Sequence, residues 1–74
     1  MEKEKIKLGK YKHFKGKLYE VITIAKNSEN PDEEFVVYKA LYDNNQVWIR
    51  PLNMFLENVI VDNKEIPRFE FIEN

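Results

Sequence analysis

The feature that most constrains this chain is how often it is interrupted. Every run of β-branched and aromatic residues is cut by turn formers: Gly16-Lys17, Asn27 to Glu33, Asp43-Asn44-Asn45, Pro51, and Asp62-Asn63-Lys64. Gly, Asn and Asp accept the left-handed backbone that reversals need, and Pro withholds a ladder donor, so the runs between them read as short strands joined by hairpins. Those runs are Lys10 to Phe14, Leu18 to Ala25, Glu34 to Tyr42, Gln46 to Arg50, Val59-Ile60-Val61, and Arg68 to Ile72. Tyr19 to Ile24 is apolar on both faces, as expected of a central strand. The only helical stretch is Pro51 to Asn58: proline suits a first turn, and Leu52, Phe55 and Leu56 fall at helical spacing. These elements predict an all-β fold, a small bent sheet or partly open SH3-like barrel, with one short helical turn near 52–57.

The length of 74 residues limits the chain to one hydrophobic core, expected over 9–74 as a single β-barrel-like domain, with residues 1–8 a flexible N-terminal tail. Five Phe, four Tyr and one Trp supply enough apolar area for that core. With no cysteine there are neither disulfides nor thiolate metal ligands, which fits a reducing compartment. No stretch approaches the ~20 apolar residues of a membrane span, so a cytoplasmic location and no membrane partner are expected. Formal net charge is only -1, yet Lys3, Lys5, Lys7, Lys10, Lys12, Lys15 and Lys17 crowd the first part of the chain. Lysines alternating along a first strand are expected to keep an exposed sheet edge soluble; the competing reading is attraction to phosphates.

His13 is the only histidine and has no carboxylates at metal-ligand spacing, so no metal site, and no cofactor of any kind, is implied. No Gly-rich phosphate loop or nucleophile elbow is present either, and Glu33-Glu34 falls in a solvated loop. The constellation that invites a function is Tyr38, Tyr42, Trp48 and Arg50. Alternation puts Tyr38, Ala40 and Tyr42 on one face of a strand and Trp48 with Arg50 on one face of the next, where the two faces can meet around the turn. Arg50 then grips a phosphate or carboxylate while aromatic rings stack on a planar group. The competing reading makes these residues core, with Arg50 lying across the rings. Met54 and Phe55 are expected to be core as well.

Tyr11-Lys12-His13-Phe14-Lys15-Gly16, Tyr19-Glu20-Val21, Val37 to Tyr42, and Trp48-Ile49-Arg50-Pro51 with Met54-Phe55 resemble a bacterial domain family of unknown function. The resemblance spans about Gly9 to Phe71 and implies an identity without an activity. Asn27 stands where the family often has histidine before Ser28-Glu29, and Asp43 to Gln46 stand where it commonly has a glycine turn. A site using that histidine is therefore not carried over.

The expected function is a non-catalytic binding or accessory module for a small anionic ligand or a protein partner, as a monomer or weak homodimer. Its ligand-binding set is Tyr38, Tyr42, Trp48, Arg50 and His13. The alternatives are single-stranded nucleic-acid binding by the lysines with exposed aromatics, and a small hydrolase or lyase using His13 with a tyrosine.

Overall fold

The computed structural model describes residues 6–73. They form strands β1 (Gly9–His13), β2 (Leu18–Asn27), β3 (Asn30–Ala40) and β4 (Val47–Pro51), then the helical turn α1 (Leu52–Phe55). Strands β5 (Asn58–Val61), β6 (Lys64–Pro67) and β7 (Phe69–Glu73) complete the chain. Five strands make one antiparallel sheet in the order β4-β3-β2-β1-β7, and β5 pairs with β6 as a separate hairpin. No pairing joins β4 to β7, so the fold is mainly β with open sheets and no closed barrel. Among the described residues no helix is long and apolar enough to cross a membrane.

Strand β2 is central, between β1 and β3, but its apolar character on both faces has a local cause. Val21 pairs with Tyr38 and Thr23 with Val37, so Ile22 is an extra residue, a bulge. A one-residue insertion reverses which face each later side chain takes. Tyr19 and Val21 face the core before the bulge and Ile24 faces it afterwards, while Ile22 remains 44% exposed.

The loop expected at Asn27 to Glu33 is mostly strand. Asn27 pairs with Asn30 across Ser28-Glu29, and its Oδ1 accepts the Glu29 N–H at 2.9 Å. Pairing resumes at Lys26 with Glu34, leaving Pro31, Asp32 and Glu33 as exposed residues without ladder partners. Proline is tolerated there because no donor is required. Strand β3 also ends early, at Ala40, so Tyr42 lies in a bend and does not continue the face that carries Tyr38. The turn that follows has Asp43 and Asn45 at positive φ, and Asn45 Nδ2 donates to the Ala40 carbonyl at 2.9 Å. Asp62 and Asn63 likewise take positive φ between β5 and β6, the pattern of a two-residue hairpin turn. Strand β6, short, polar and ending in Pro67, has little sequence signal of its own.

Among the described residues helical structure covers only Leu52–Phe55, with Pro51 as its N-cap and Leu56 as its C-cap. One turn has no propagation to stabilise it, so tertiary packing holds it in place. Leu52 and Phe55 enter the core, whereas Met54, expected to be core, is 42% exposed, and Leu56, at helical spacing with them, is half-exposed. The core comprises Ile6, Tyr11, Val21, Val36, Tyr38, Leu52, Phe55 and Phe69. At its centre Phe55 stacks on Phe69 with centroids 4.1 Å apart and rings 3° from parallel, while Tyr11 and Tyr38 meet Phe55 edge-on at 5.5 and 5.4 Å.

Of the tail expected over 1–8, residues 1–5 lie outside the described residues. Ile6 is buried in the core, and the Lys7 carbonyl accepts the Tyr11 hydroxyl at 2.7 Å. The first strand is not an edge either, because β7 covers it and Lys10 pairs with Glu73 there at 3.4 Å.

Gly16 has φ +106° in the β1–β2 turn, where its N–H donates to the His13 carbonyl at 2.7 Å. A Cβ there would meet nothing within 4 Å, so a substitution costs backbone strain alone. Gly16→Ala is expected to lose about 1–2 kcal/mol. That is a melting point lower by about 4–8 °C per kcal/mol, and an unchanged melting curve would contradict the assignment.

Candidate functional site

The antiparallel register of β3 and β4 sets Trp48 across from Tyr38 and Arg50 across from Val36, on the face that carries the core. Because β4 is an edge strand, its core-side residues are only partly covered: Trp48 is 51% exposed and Arg50 is half-buried. Tyr42 reaches the same place from the bend after β3, and Tyr19 from β2, where it pairs with Ala40. Tyr19, Tyr38, Tyr42, Trp48 and Arg50 line one open cleft of about 230 Å³. A second hollow of about 240 Å³ shares Tyr42 and Trp48 and adds Ala40, Asp43, Asn44 and Gln46.

Arg50 is anchored on one side. Its Nε donates to the Tyr38 hydroxyl at 3.2 Å, and its guanidinium carbon lies 5.7 Å from the Phe69 centroid. The ion pairs of the described residues are Lys10 with Glu73 and Arg68 with Glu57, so none of them neutralises Arg50. Nor does Tyr19. Tyr19 and Tyr42 are hydrogen-bonded through their hydroxyls, and burial, then that bond and the neighbouring phenols, push Tyr19 up to about 12 against a smaller opposing pull from Arg50. Tyr19 therefore stays neutral at physiological pH. The Lys17 ammonium, 4.8 Å over the Tyr42 ring, adds a second cation at the rim.

Of the residues singled out in the sequence, Tyr38, Tyr42, Trp48 and Arg50 come together and His13 does not join them. His13 ends β1 with its ring 4.9 Å from Phe69 and 6.2 Å from Tyr19. It lines a separate hollow of about 350 Å³ with Lys12, Phe14, Ile66, Pro67 and Glu70, which contains no tyrosine. Its Nδ1 accepts the Lys15 N–H at 3.1 Å. Burial holds its pKa below the usual histidine value, helped by the positive charges of Arg68, Arg50 and Lys15. Among the described residues no group of three or more carboxylates or histidines is placed to hold a metal ion. Tyr19 is the cleft residue that the sequence reading missed. The signal was its alternation with Val21 on β2, which puts the two on one face, the face that Ala40 and Tyr38 share across the pairing.

Residues 9–71 match the model of a family described as a protein of unknown function, DUF1653. The chain belongs to this family. It is similar to the crystal structure of a DUF1653 protein from Bordetella bronchiseptica, with 30% identity over 92% of this chain and 88% of that one and a TM-score of 0.81. No curated protein matches it. All five cleft residues fall inside the DUF1653 match.

Proposed function

We propose that this DUF1653 domain is a binding module, not a catalyst, and that it takes an anionic group of a small ligand or protein partner in the Tyr19, Tyr38, Tyr42, Trp48, Arg50 cleft. The observation that carries this reading is Arg50: its Nε is fixed by Tyr38, no carboxylate of the described residues neutralises it, and it opens beside a half-exposed Trp48. A planar guanidinium oriented in this way presents two parallel N–H donors that match a phosphate or carboxylate. Tyrosine hydroxyls nearby supply further donors. His13 lies outside the cleft, engaged by Lys15, and has no part in this reading.

A thermal-shift panel of phosphate monoesters, dicarboxylates and their uncharged analogues tests the proposal. A charged compound at about ten times its Kd should add about 1.4 kcal/mol of stability, which is a rise of about 6–11 °C for a domain of this size. The rise should be absent with uncharged analogues and reduced in Arg50→Gln. A panel in which no anion stabilises the protein, or in which Arg50→Gln responds like the parent, removes the proposal.

A further inference from the structure

Resting on that reading, we infer that the ligand is a nucleoside monophosphate unit, with its phosphate on Arg50, its base stacked on Trp48, and the base edge read by Asp43, Asn44 and Gln46. The inference starts from the two hollows that meet at Trp48 and Tyr42. Pockets that take drug-sized molecules hold about 300–1,000 Å³, and these two hollows, at about 230 and 240 Å³, reach that range together but not singly. A ligand that fills both must pass along the Trp48 and Tyr42 rings, so its middle portion must suit an aromatic surface.

The chemistry differs between the two ends. One end presents the Arg50 guanidinium, with the Tyr19 and Tyr42 hydroxyls bonded to each other and the Tyr38 hydroxyl already accepting from Arg50. It has positive charge and suits a phosphate better than a neutral group. The other end presents a carboxylate and two amides on a turn whose backbone is fixed by Asn45 donating to Ala40 and by the Asn45 N–H donating to the Tyr42 carbonyl at 3.0 Å. Amides and a carboxylate beside an exposed ring are what reads the hydrogen-bonding edge of a stacked base.

Ligands with only some of these parts fit less well. A sugar phosphate has no flat face for Trp48, a dicarboxylate would set its second charge near Asp43, and a phospholipid headgroup brings neither ring nor edge donors. Asp43 also selects among bases. An ionised carboxylate only accepts, so it favours a base with adjacent N–H donors. Guanine presents N1–H and N2–H side by side, whereas uracil flanks its single N–H with carbonyls that would face the carboxylate. Expected affinity therefore falls from GMP through AMP and CMP to UMP.

The test is a titration of the whole ¹⁵N-labelled chain with GMP, guanosine, ribose 5-phosphate, UMP and a short single-stranded oligonucleotide. Amide spectra and Trp48 fluorescence are read together. GMP should quench the fluorescence of Trp48 and shift its indole N–H, the Asn44 and Gln46 amides, and the Arg50 Nε–H. Guanosine and ribose 5-phosphate should each bind at least about tenfold more weakly, the loss expected when one charged or stacked contact is removed. Asp43→Asn should narrow the gap between GMP and UMP. An oligonucleotide that binds much more tightly through the same residues supports the inference and places the nucleotide within a strand; tighter binding by GMP identifies a free nucleotide. If ribose 5-phosphate binds as well as GMP, the nucleotide inference falls while the anion reading stands. If guanosine equals GMP, Arg50 has no phosphate role and both fall. Absence of any shift at about a hundredfold excess of GMP overturns the inference, and the anion panel then judges the broader reading alone.

Discussion

Phe55→Ala is expected to remove about 3–5 kcal/mol of folding stability, the usual cost of emptying a fully buried aromatic site. Phe55 is 1% exposed, lies flat on Phe69 and receives the edges of Tyr11 and Tyr38, so its removal leaves ring faces and edges from three other elements without a partner. Surrounding atoms cannot collapse into the space easily, because α1 is a single turn tied to the sheet through Leu52 and Phe55 themselves. A small domain has about 5–15 kcal/mol in total and sits toward the lower end, so the variant should be partly unfolded at room temperature or melt at least about 12 °C lower. The neighbouring Met54→Ala is the control. Met54 is half-exposed, and its loss should stay within about 0.5 kcal/mol. Urea denaturation of the two variants measures both, and equal costs would refute the placing of Phe55 at the centre of the core.

The same pair of residues marks how far the sequence could be read. Leu52, Phe55 and Leu56 at helical spacing identified a helical turn after Pro51, and Leu52 and Phe55 are buried. The spacing could not say that the turn would end after four residues and leave Leu56 as an exposed cap. Periodicity describes a face, whereas the length of a helix this short is set by the sheet beneath it. The β2 bulge at Ile22 is a similar case. Apolar residues on both faces point to a central strand, and β2 is central, but an inserted residue gives the same pattern by switching faces midway. Pairing partners decide between the two, and they are distant in sequence.

For the cleft, what was legible was the hairpin. Asp43-Asn44-Asn45 announced a reversal, and alternation on either side put Tyr38 near Trp48 and Arg50, as the β3–β4 register has them. Tyr42 arrives by a different route, from the bend, because β3 stops at Ala40 when the Asn45 amide takes the Ala40 carbonyl. Tyr19 was not legible because it comes from β2, more than twenty positions earlier, and its hydroxyl contact with Tyr42 depends on the strand order. His13, expected in the ligand-binding set, lines a different hollow. In space, Phe69 stands beside both His13 and Arg50, and a residue so late in the chain gives no local sign of where it will pack.

Arg50→Glu should abolish anion binding at the cleft, by about a hundredfold or more. Two parallel charge-assisted hydrogen bonds are lost, each worth about 1.5–3 kcal/mol, and a carboxylate in their place repels the ligand. The fold should survive, since Arg50 contributes one bond to Tyr38 and a contact with Phe69 and is only half-buried. A circular dichroism spectrum like the parent's establishes that. His13 gives an independent readout. Arg50 is one of the positive charges holding its pKa below the usual value, so replacing it with a negative charge must raise that pKa, leaving the parts due to burial, Arg68 and Lys15. The sign for stability follows from the same linkage. A histidine whose pKa is depressed by folding stabilises the fold above its unfolded pKa of about 6.5 and loses that contribution as pH falls through the folded value. The parent should therefore weaken on acidification below about pH 6.5, and Arg50→Glu should weaken less over the same interval through His13. Proton NMR titration of the imidazole and melting curves across that range measure both effects. A His13 pKa unmoved by the charge reversal would show that the Arg50 guanidinium does not stand where its contacts with Tyr38 and Phe69 put it, and the proposed anion site would go with it.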